Sequence, residues 1–317
     1  MIALLAVAAS ALVLGAGTPL VLRRLRGLER WPALTAWLWI ATTLAALAAV
    51  TLTGLLLLMP TSRLGSGVAE LLRTCVMALR AALSTPHRSG TGTAAGVVLL
   101  AAIAVGFMAG STMVGVRAWR TARRHRHLLA LVGQPAPHLP GVTILEHHRP
   151  LAYCLPGRPG PVVLSSATLH RLDTAQLAAV LAHERAHQTS HHHQLTLLAQ
   201  VLAAGFPWLP AARLGHGAVA RLVELAADDA AARAQGRRQV AAALAALGET
   251  PIPHAALGAA AVSASERVRR LTTPRRRGGT LALLAGILLL ALPLSAAVVA
   301  VTMPLARVAG TPICPLG

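Results

Sequence analysis

His183, Glu184 and His187 fall in one pentapeptide, His183-Glu184-Arg185-Ala186-His187, directly after the apolar run Leu177-Ala178-Ala179-Val180-Leu181-Ala182. Residues four apart share a helix face, so His183 and His187 can present two imidazoles to one metal ion. Glu184 then stands beside that ion, where its carboxylate can accept a proton from an attacking water. Two nitrogen ligands and a carboxylate base at this HExxH spacing suit metal-assisted hydrolysis. The helical context makes that reading stronger than a chance cluster in a histidine-rich chain.

Two histidines do not hold a catalytic zinc alone; a third protein ligand is expected. One pattern extends HExxH by xxGxxH, and His193 has that spacing. Ser190, however, stands where that pattern needs a glycine to turn the chain, so the helix is expected to run on through His191, His192, His193 and Gln194. The other pattern places a glutamate on a later helix. Ala218 to Ala234 is helical in composition and contains Glu224-Leu225-Ala226-Ala227-Asp228. Glu224 and Asp228 share a face, while Leu222 and Leu225 pack elsewhere. Glu224 is the preferred zinc ligand, with Asp228 hydrogen-bonded to a ligand histidine. The plain alternative pairs Glu224 with Arg221 on a solvated face. Asp229, one step round, is expected to face solvent.

The rest of the chain reads as membrane. Its 317 residues are 55% hydrophobic and 12% charged, too apolar for an ordinary soluble domain. The net charge of +19 comes from arginines clustered beside long apolar runs, which fits basic flanks of membrane spans. No basic recognition helix or aromatic stacking pattern accompanies them, so no direct nucleic-acid partner is expected. Cys75, Cys154 and Cys314 form no CxxC pair and imply neither a disulfide framework nor a thiolate metal site. A Cys75–Cys314 pair is conceivable if both face one side of a membrane; separate buried thiols are preferred.

Four segments are apolar enough for the roughly 20 residues of helix that cross a bilayer: Ile2 to Leu22, Pro32 to Met59, Thr93 to Val116 and Thr280 to Met303. The first has no positive charge before its apolar run and is followed by Arg23, Arg24 and Arg26, so an uncleaved helix is expected. Those arginines with Arg30 hold the first loop in the cytoplasm. Arg63, Arg73, Arg80 and Arg88 are more dilute along the longer second loop. Arg117, Arg120, Arg123, Arg124 and Arg126 form a dense basic hinge, and Arg267, Arg269, Arg270, Arg275, Arg276 and Arg277 precede the last span. The positive-inside rule then puts 117–278 in the cytoplasm and both termini outside.

The fold class expected is a mainly α membrane protein, with about four transmembrane helices and a cytoplasmic α+β domain. Residues 1–118 hold three spans, 119–278 the cytoplasmic domain, 279–303 the fourth span and 304–317 a short extracytoplasmic tail. Val142 to Leu145, Leu151 to Leu155 and Pro161 to Ser165 are strand candidates between Pro/Gly turns. Ser166 to Leu169 suggests a helical turn, and Asp173 or Thr174 a cap for the helix that follows. Leu195 to Leu209 is shorter than a span and ends in Gly205-Phe206-Pro207-Trp208. If it crossed the bilayer, His187 and any later ligand would face opposite compartments, so a buried core helix or a shallow re-entrant hairpin is expected.

LAHERAH, then an apolar helix, then VELAADDAA, together resemble the gluzincin membrane peptidases, most of all the BlaR/MecR-type group, whose relatives include the HtpX and CAAX prenyl-protease families. Ala152 to Gly157 followed by Val162 to Ser165 resembles the strands such proteins carry ahead of the motif. The likeness covers the expected cytoplasmic domain, and three spans before it and one after agree with it. It implies Zn²⁺ on His183, His187 and Glu224, Glu184 as the base, and an active site at the cytoplasmic side of the cell membrane. A protein or peptide substrate is implied, such as a cytoplasmic transcriptional repressor in a signal-response pathway. Membrane-protein quality control and a non-catalytic zinc scaffold are the rivals, and the intact Glu184 speaks against the scaffold. The likeness departs at the C-terminus, because BlaR/MecR receptors continue into an extracellular penicillin-binding sensor and this sequence stops at Gly317.

The remaining histidines are assigned bland roles. His191, His192 and His193 are expected on a polar helix surface, His125 and His127 near headgroups, and His147 and His148 in a loop. Tyr153 and the arginines are candidates for steadying an oxyanion. An exposed strand edge near Val162 to Ser165 is expected to pair with extended substrate.

Overall fold

The computed structural model describes residues 2–58, 77, 91–155, 160–248, 263–273 and 279–309. Cys75, Cys314, the second-loop arginines 63, 73, 80 and 88, Arg275 to Arg277 and the tail at Gly317 lie outside the described residues. So does the turn at Pro156 and Gly157.

The chain is mostly helical. Helix α1 (Ile2–Leu12) passes through a π-turn at Val13–Gly17 into α2 (Thr18–Arg24). A short 3₁₀ turn at Arg26–Arg30 leads to α3 (Pro32–Leu58), and α4 spans Thr91–Val132. With α11 (Gly279–Ala309), these supply the four helices, among the described residues, that are long and apolar enough to cross a membrane. Several of their hydroxyls bond back to their own helix, as an apolar surrounding favours. Thr42 and Thr43 donate to the carbonyls of Leu38 and Trp39 at 2.8 and 3.0 Å.

Helix α4 does not stop at the basic segment. It runs unbroken for 42 residues, roughly 63 Å at 1.5 Å per residue and about twice a hydrocarbon core. The expected hinge at Arg117 to Arg126 is therefore a rigid helical extension, which delivers the chain straight into a sheet.

That sheet has strands β1 (Gly133–Pro135), β2 (Val142–Leu145), β3 (Ala152–Cys154) and β4 (Val162–Ser165), in the order β1-β2-β4-β3. β2 and β4 run parallel; the outer pairs are antiparallel. All four residues of β4 are buried, the pattern of an interior strand covered on both faces. Val162 and Leu164 meet the helices of one side, while Val163 and Tyr153 pack with Leu129 of α4 on the other.

Helices α5 (Ser166–Arg171), α6 (Thr174–Thr189), α7 (His192–Gly205), α8 (Pro210–Gln235), α9 (Arg237–Leu247) and α10 (Ala264–Thr272) follow. The chain breaks at Ser190 and His191, where a continuous helix was expected. His191 takes a left-handed conformation at φ 53°, which histidine tolerates better than most residues with a Cβ. A glycine was not needed to turn the chain there.

The run Leu195 to Leu209 forms α7 and the tip of a helical hairpin with α8. It packs into the same apolar core as the long apolar helices: Leu202, Phe206 and Leu209 share a buried cluster with Leu14, Trp39 and Leu47. The seat is a small-residue crossing. A Cβ on Gly110 of α4 would lie 2.5 Å from the Val201 carbonyl oxygen, and one on Gly106 would lie 2.8 Å from that of Gly205. Small residues four apart let two helix backbones touch. Gly110→Leu should therefore lower stability by about 1–3 kcal/mol through overpacking, read as thermal unfolding in detergent. Gly115→Ala, with no atom within 4 Å of the added Cβ, should leave the protein as stable or slightly more so.

Candidate metal centre

Asp173 starts α6 with a capping box: its Oδ1 accepts from the Gln176 N–H at 2.8 Å, and Gln176 Oε1 accepts from the Asp173 N–H at 3.1 Å. Ala179, Val180 and Leu181 then bury one side of α6 in the core under the sheet. This orientation leaves His183, Glu184 and His187 toward α8. The hairpin decides where α8 meets them. The 14 residues of α7 rise about 21 Å, and the return from Pro210 to Glu224 about 22 Å. Equal legs bring Glu224 back to the level of His187.

The donor atoms converge. His183 Nε2 and His187 Nε2 are 3.1 Å apart, and Glu224 lies 3.6 and 3.5 Å from them. Bonds of 2.0–2.1 Å to a tetrahedral zinc put ligand atoms about 3.3 Å apart, so the three suit such an ion. A second observation agrees. Glu224 Oε1 is buried without a hydrogen-bond partner, a costly state for a carboxylate oxygen that a cation would relieve. Among the described residues this is also the group of His, Cys, Asp and Glu side chains that could hold a metal, with ligand atoms all within 4.8 Å.

The surroundings hold these groups in place. Asp228 Oδ1 lies 3.1 Å from His183 Nδ1, on the side of the ring away from the other donors. Arg221, one candidate partner for Glu224, instead pairs with Glu29 at 3.0 Å and with Glu266. Asp229, expected in solvent, is buried and accepts two bonds from Arg270 at 2.9 and 2.7 Å. His193 is not among the converging donors.

Three neighbours of the site were read otherwise from the sequence: Arg267 as a basic flank of the last apolar helix, Cys154 as a separate buried thiol, and His192 as part of a polar helix surface, whereas it is buried. Arg267 of α10 donates to both Asp228 oxygens at 2.8 and 2.6 Å and lies 3.3 Å from Glu224. Its Nη2 stands 3.4 Å from both ring nitrogens of His183, so the guanidinium lies over that ring and not along a lone pair. The Cys154 thiol of β3 lies beside Glu184. His192 is buried, with Nδ1 3.2 Å from His187 Nδ1. Tyr153, a candidate for the oxyanion, faces the opposite side of the sheet, edge-on to His125 at 6.4 Å. Only the pairing of strand alternation with α6 could have singled out Cys154, and no local signal marks Arg267 or His192.

The electrostatics follow from burial and partners. Burial raises the Glu184 carboxyl above the usual range, and Glu224 adds to the effect, which suits a group that must take up and release a proton. Burial works against charge on Glu224 too, but His183, His187 and Arg267 override it and hold Glu224 at about 2. Burial likewise opposes charge on His183, yet Asp228 and Glu224 raise it to about 9. Burial lowers His187 to about 3, so that imidazole stays neutral. Burial first, then Glu184, push the Cys154 thiol up to about 12 and keep it protonated.

Among the described residues the edge of the sheet on this side is β3, not the expected Val162 to Ser165, which lies between β2 and β3. Leu155 N–H bonds to the Pro161 carbonyl and Ser165 N–H to the Leu151 carbonyl. The alternate residues Ala152 and Cys154 therefore turn their backbone N–H and C=O away from β4, beside Glu184. The opposite edge, β1, carries Pro135 and is poorer in donors.

Removing Arg267 should leave a buried carboxylate pair uncompensated. Arg267→Met is expected to lose about 3–5 kcal/mol of stability in chemical denaturation, and Arg267→Lys should recover only part, because a lysine cannot donate two parallel bonds to Asp228.

Neither a curated protein nor a solved structure matches the chain. The family model of peptidase family M48 does match, over residues 117–275, half of the chain. That stretch holds the whole sheet, His183, Glu184, His187, Glu224, Asp228 and Arg267. With a possible metal triad inside the matched region, the chain belongs to peptidase family M48, a family of metallopeptidases that typically depend on zinc.

Proposed function

We propose that this chain is a membrane-embedded zinc endopeptidase whose active site lies at the cytoplasmic face. The observation that carries the reading is the meeting of His183, His187 and Glu224 at tetrahedral spacing, with the buried Glu184 beside them. Zn²⁺ held by these three would polarise the scissile carbonyl and acidify water. Glu184 takes the proton of the attacking water and passes it to the leaving amine, a transfer its raised affinity for protons favours. The protonated Cys154 thiol stands beside Glu184, where it can orient the carboxylate. Asp228 and Arg267 hold His183 and Glu224 from behind. An extended substrate adds to the sheet at β3, where the outward N–H and C=O of Ala152 and Cys154 bind its backbone.

The membrane assignment rests on the four apolar helices, the shared core of the α7–α8 hairpin with them, and the arginine distribution. The hairpin dips among the spans without crossing, so His187 and Glu224 stay on one side. By the resemblance to BlaR/MecR-type peptidases, the substrate is proposed to be a cytoplasmic transcriptional repressor. Quality control of membrane proteins is the alternative. Comparative proteomics of wild-type and Glu184→Gln cells separates them: a single accumulating repressor supports the first, and a broad set of membrane proteins the second.

Glu184→Gln keeps shape and hydrogen bonding but removes the proton acceptor. It should lower peptide cleavage by about 10²- to 10⁴-fold while bound zinc stays at the wild-type level. His183→Ala, His187→Ala and Glu224→Ala should instead lose most zinc, with His193→Ala retaining it, as measured by metal analysis of purified variants. Wild-type cleavage by the Gln variant would refute the mechanism.

Topology is tested separately. Cysteine substitutions at Gly133 and Gly248 should be labelled only from the cytoplasmic side. Labelling at Gly215 from outside would separate the Glu224 helix from α6 and defeat the arrangement.

A further inference from the structure

The two histidines of the proposed metal triad are backed differently. His183 has the carboxylate of Asp228 behind its Nδ1 at 3.1 Å. His187 has another imidazole behind it: its Nδ1 lies 3.2 Å from His192 Nδ1, with the rings edge to face at 82° and centroids 5.0 Å apart. His192 is 5% exposed. Its place depends on the break after α6, where His191 adopts the left-handed backbone that starts α7 one residue later. Such a conformation strains a residue with a Cβ and persists where the surroundings enforce it.

We propose that His192 is a positioning residue that fixes the tautomer and the orientation of His187, and thereby sets the affinity of the site for its metal. The inference rests on His183, His187 and Glu224 being metal ligands. The reasoning is a count of protons. One hydrogen can lie between the two Nδ1 atoms. For the inward Nε2 of His187 to offer a lone pair, its proton must sit on Nδ1 and be donated to His192. His192 Nδ1 must then be bare, with the His192 proton on Nε2. The opposite tautomer of His192 would drive the His187 proton to Nε2, toward Glu224, and close that ligand position. A ligand histidine commonly has its second nitrogen engaged, which fixes the ring and its basicity. Here that partner is neutral, so it orients His187 without adding a negative charge to a site that already holds Glu184, Glu224 and Asp228.

The test uses the full chain in detergent, with Co²⁺ as the probe and a chelator in competition. Asparagine can place its Oδ1 where His192 has Nδ1, whereas leucine keeps bulk and offers no acceptor. His192→Leu should bind Co²⁺ about 10- to 100-fold more weakly, and His192→Asn within about threefold of wild type. The visible absorption of bound Co²⁺ should shift in the Leu variant and return in the Asn variant. Thermal unfolding of the metal-free proteins accompanies each measurement and identifies loss of fold. Wild-type affinity and spectrum in His192→Leu would overturn the proposal while leaving the metal site intact. Equal weakening in both variants with an unchanged spectrum would also overturn it, since packing alone would then explain the effect. A wild-type chain that binds no Co²⁺ at all would remove the metal reading itself.

Discussion

Three carboxylates, those of Glu184, Glu224 and Asp228, are buried within one site, and their mutual repulsion is the constraint around which the structure is arranged. In a low-dielectric interior each charge needs a compensating partner. Arg267 is the cation that answers it, joined to Asp228 by two bonds and set against Glu224. It arrives on α10, some forty residues further along the chain than Asp228. Holding α10 there takes further contacts. Arg270 binds Asp229 and the Glu29 carbonyl, Arg237 donates to the Leu271 and Arg270 carbonyls, and Arg221 joins Glu29 to Glu266. The 3₁₀ turn between the first two apolar helices is thereby tied to the same helix that neutralises the site.

The same site sets the dimensions of the hairpin. His183 and His187 ride on α6 and Glu224 on α8, so α7 and the first part of α8 must be nearly equal in length for the donors to meet. The close glycine crossing of α4 with α7 then locks that hairpin among the apolar helices. Packing between the long apolar helices and geometry at the candidate metal centre are consequently not independent. A change that lifts α7 away from Gly106 and Gly110 also moves the helix bearing Glu224. The sheet plays the complementary part, since its interior strand β4 anchors α6 while its outer strand β3 leaves a backbone edge and a thiol next to Glu184.

Much of this was legible in the chain because the signals were local. The HExxH spacing, the Glu224/Asp228 face, three of the four strands and the four apolar helices each follow from periodicity or from residues within one turn of one another. The break at Gly205 to Trp208 was visible for the same reason. Positions that depend on partners distant in sequence were not. Asp229 is one step round α8 from Asp228 and was expected in solvent; Arg270, which buries it, lies forty-one residues away. Val162 to Ser165 has the composition of any strand, and only the pairing with β2 and β3 makes it interior. The chain turn at His191 is a non-glycine residue in a left-handed conformation that residues with a Cβ adopt uncommonly, and so the continuation of α6 was expected instead.

What the sequence alone determined is the chemistry available: two imidazoles, a carboxylate base and a carboxylate pair at helical spacing, on a chain apolar enough to cross a membrane. Tertiary structure decided which of these groups meet and what stands behind each one. His187 is backed by His192 because the chain turns at His191, and Glu224 meets the histidines because two helices have matched lengths. Arg267 neutralises the cluster because α10 folds back onto α8. Helical periodicity encodes a face, but the partner of that face is a property of long-range packing, which no local pattern of residues carries.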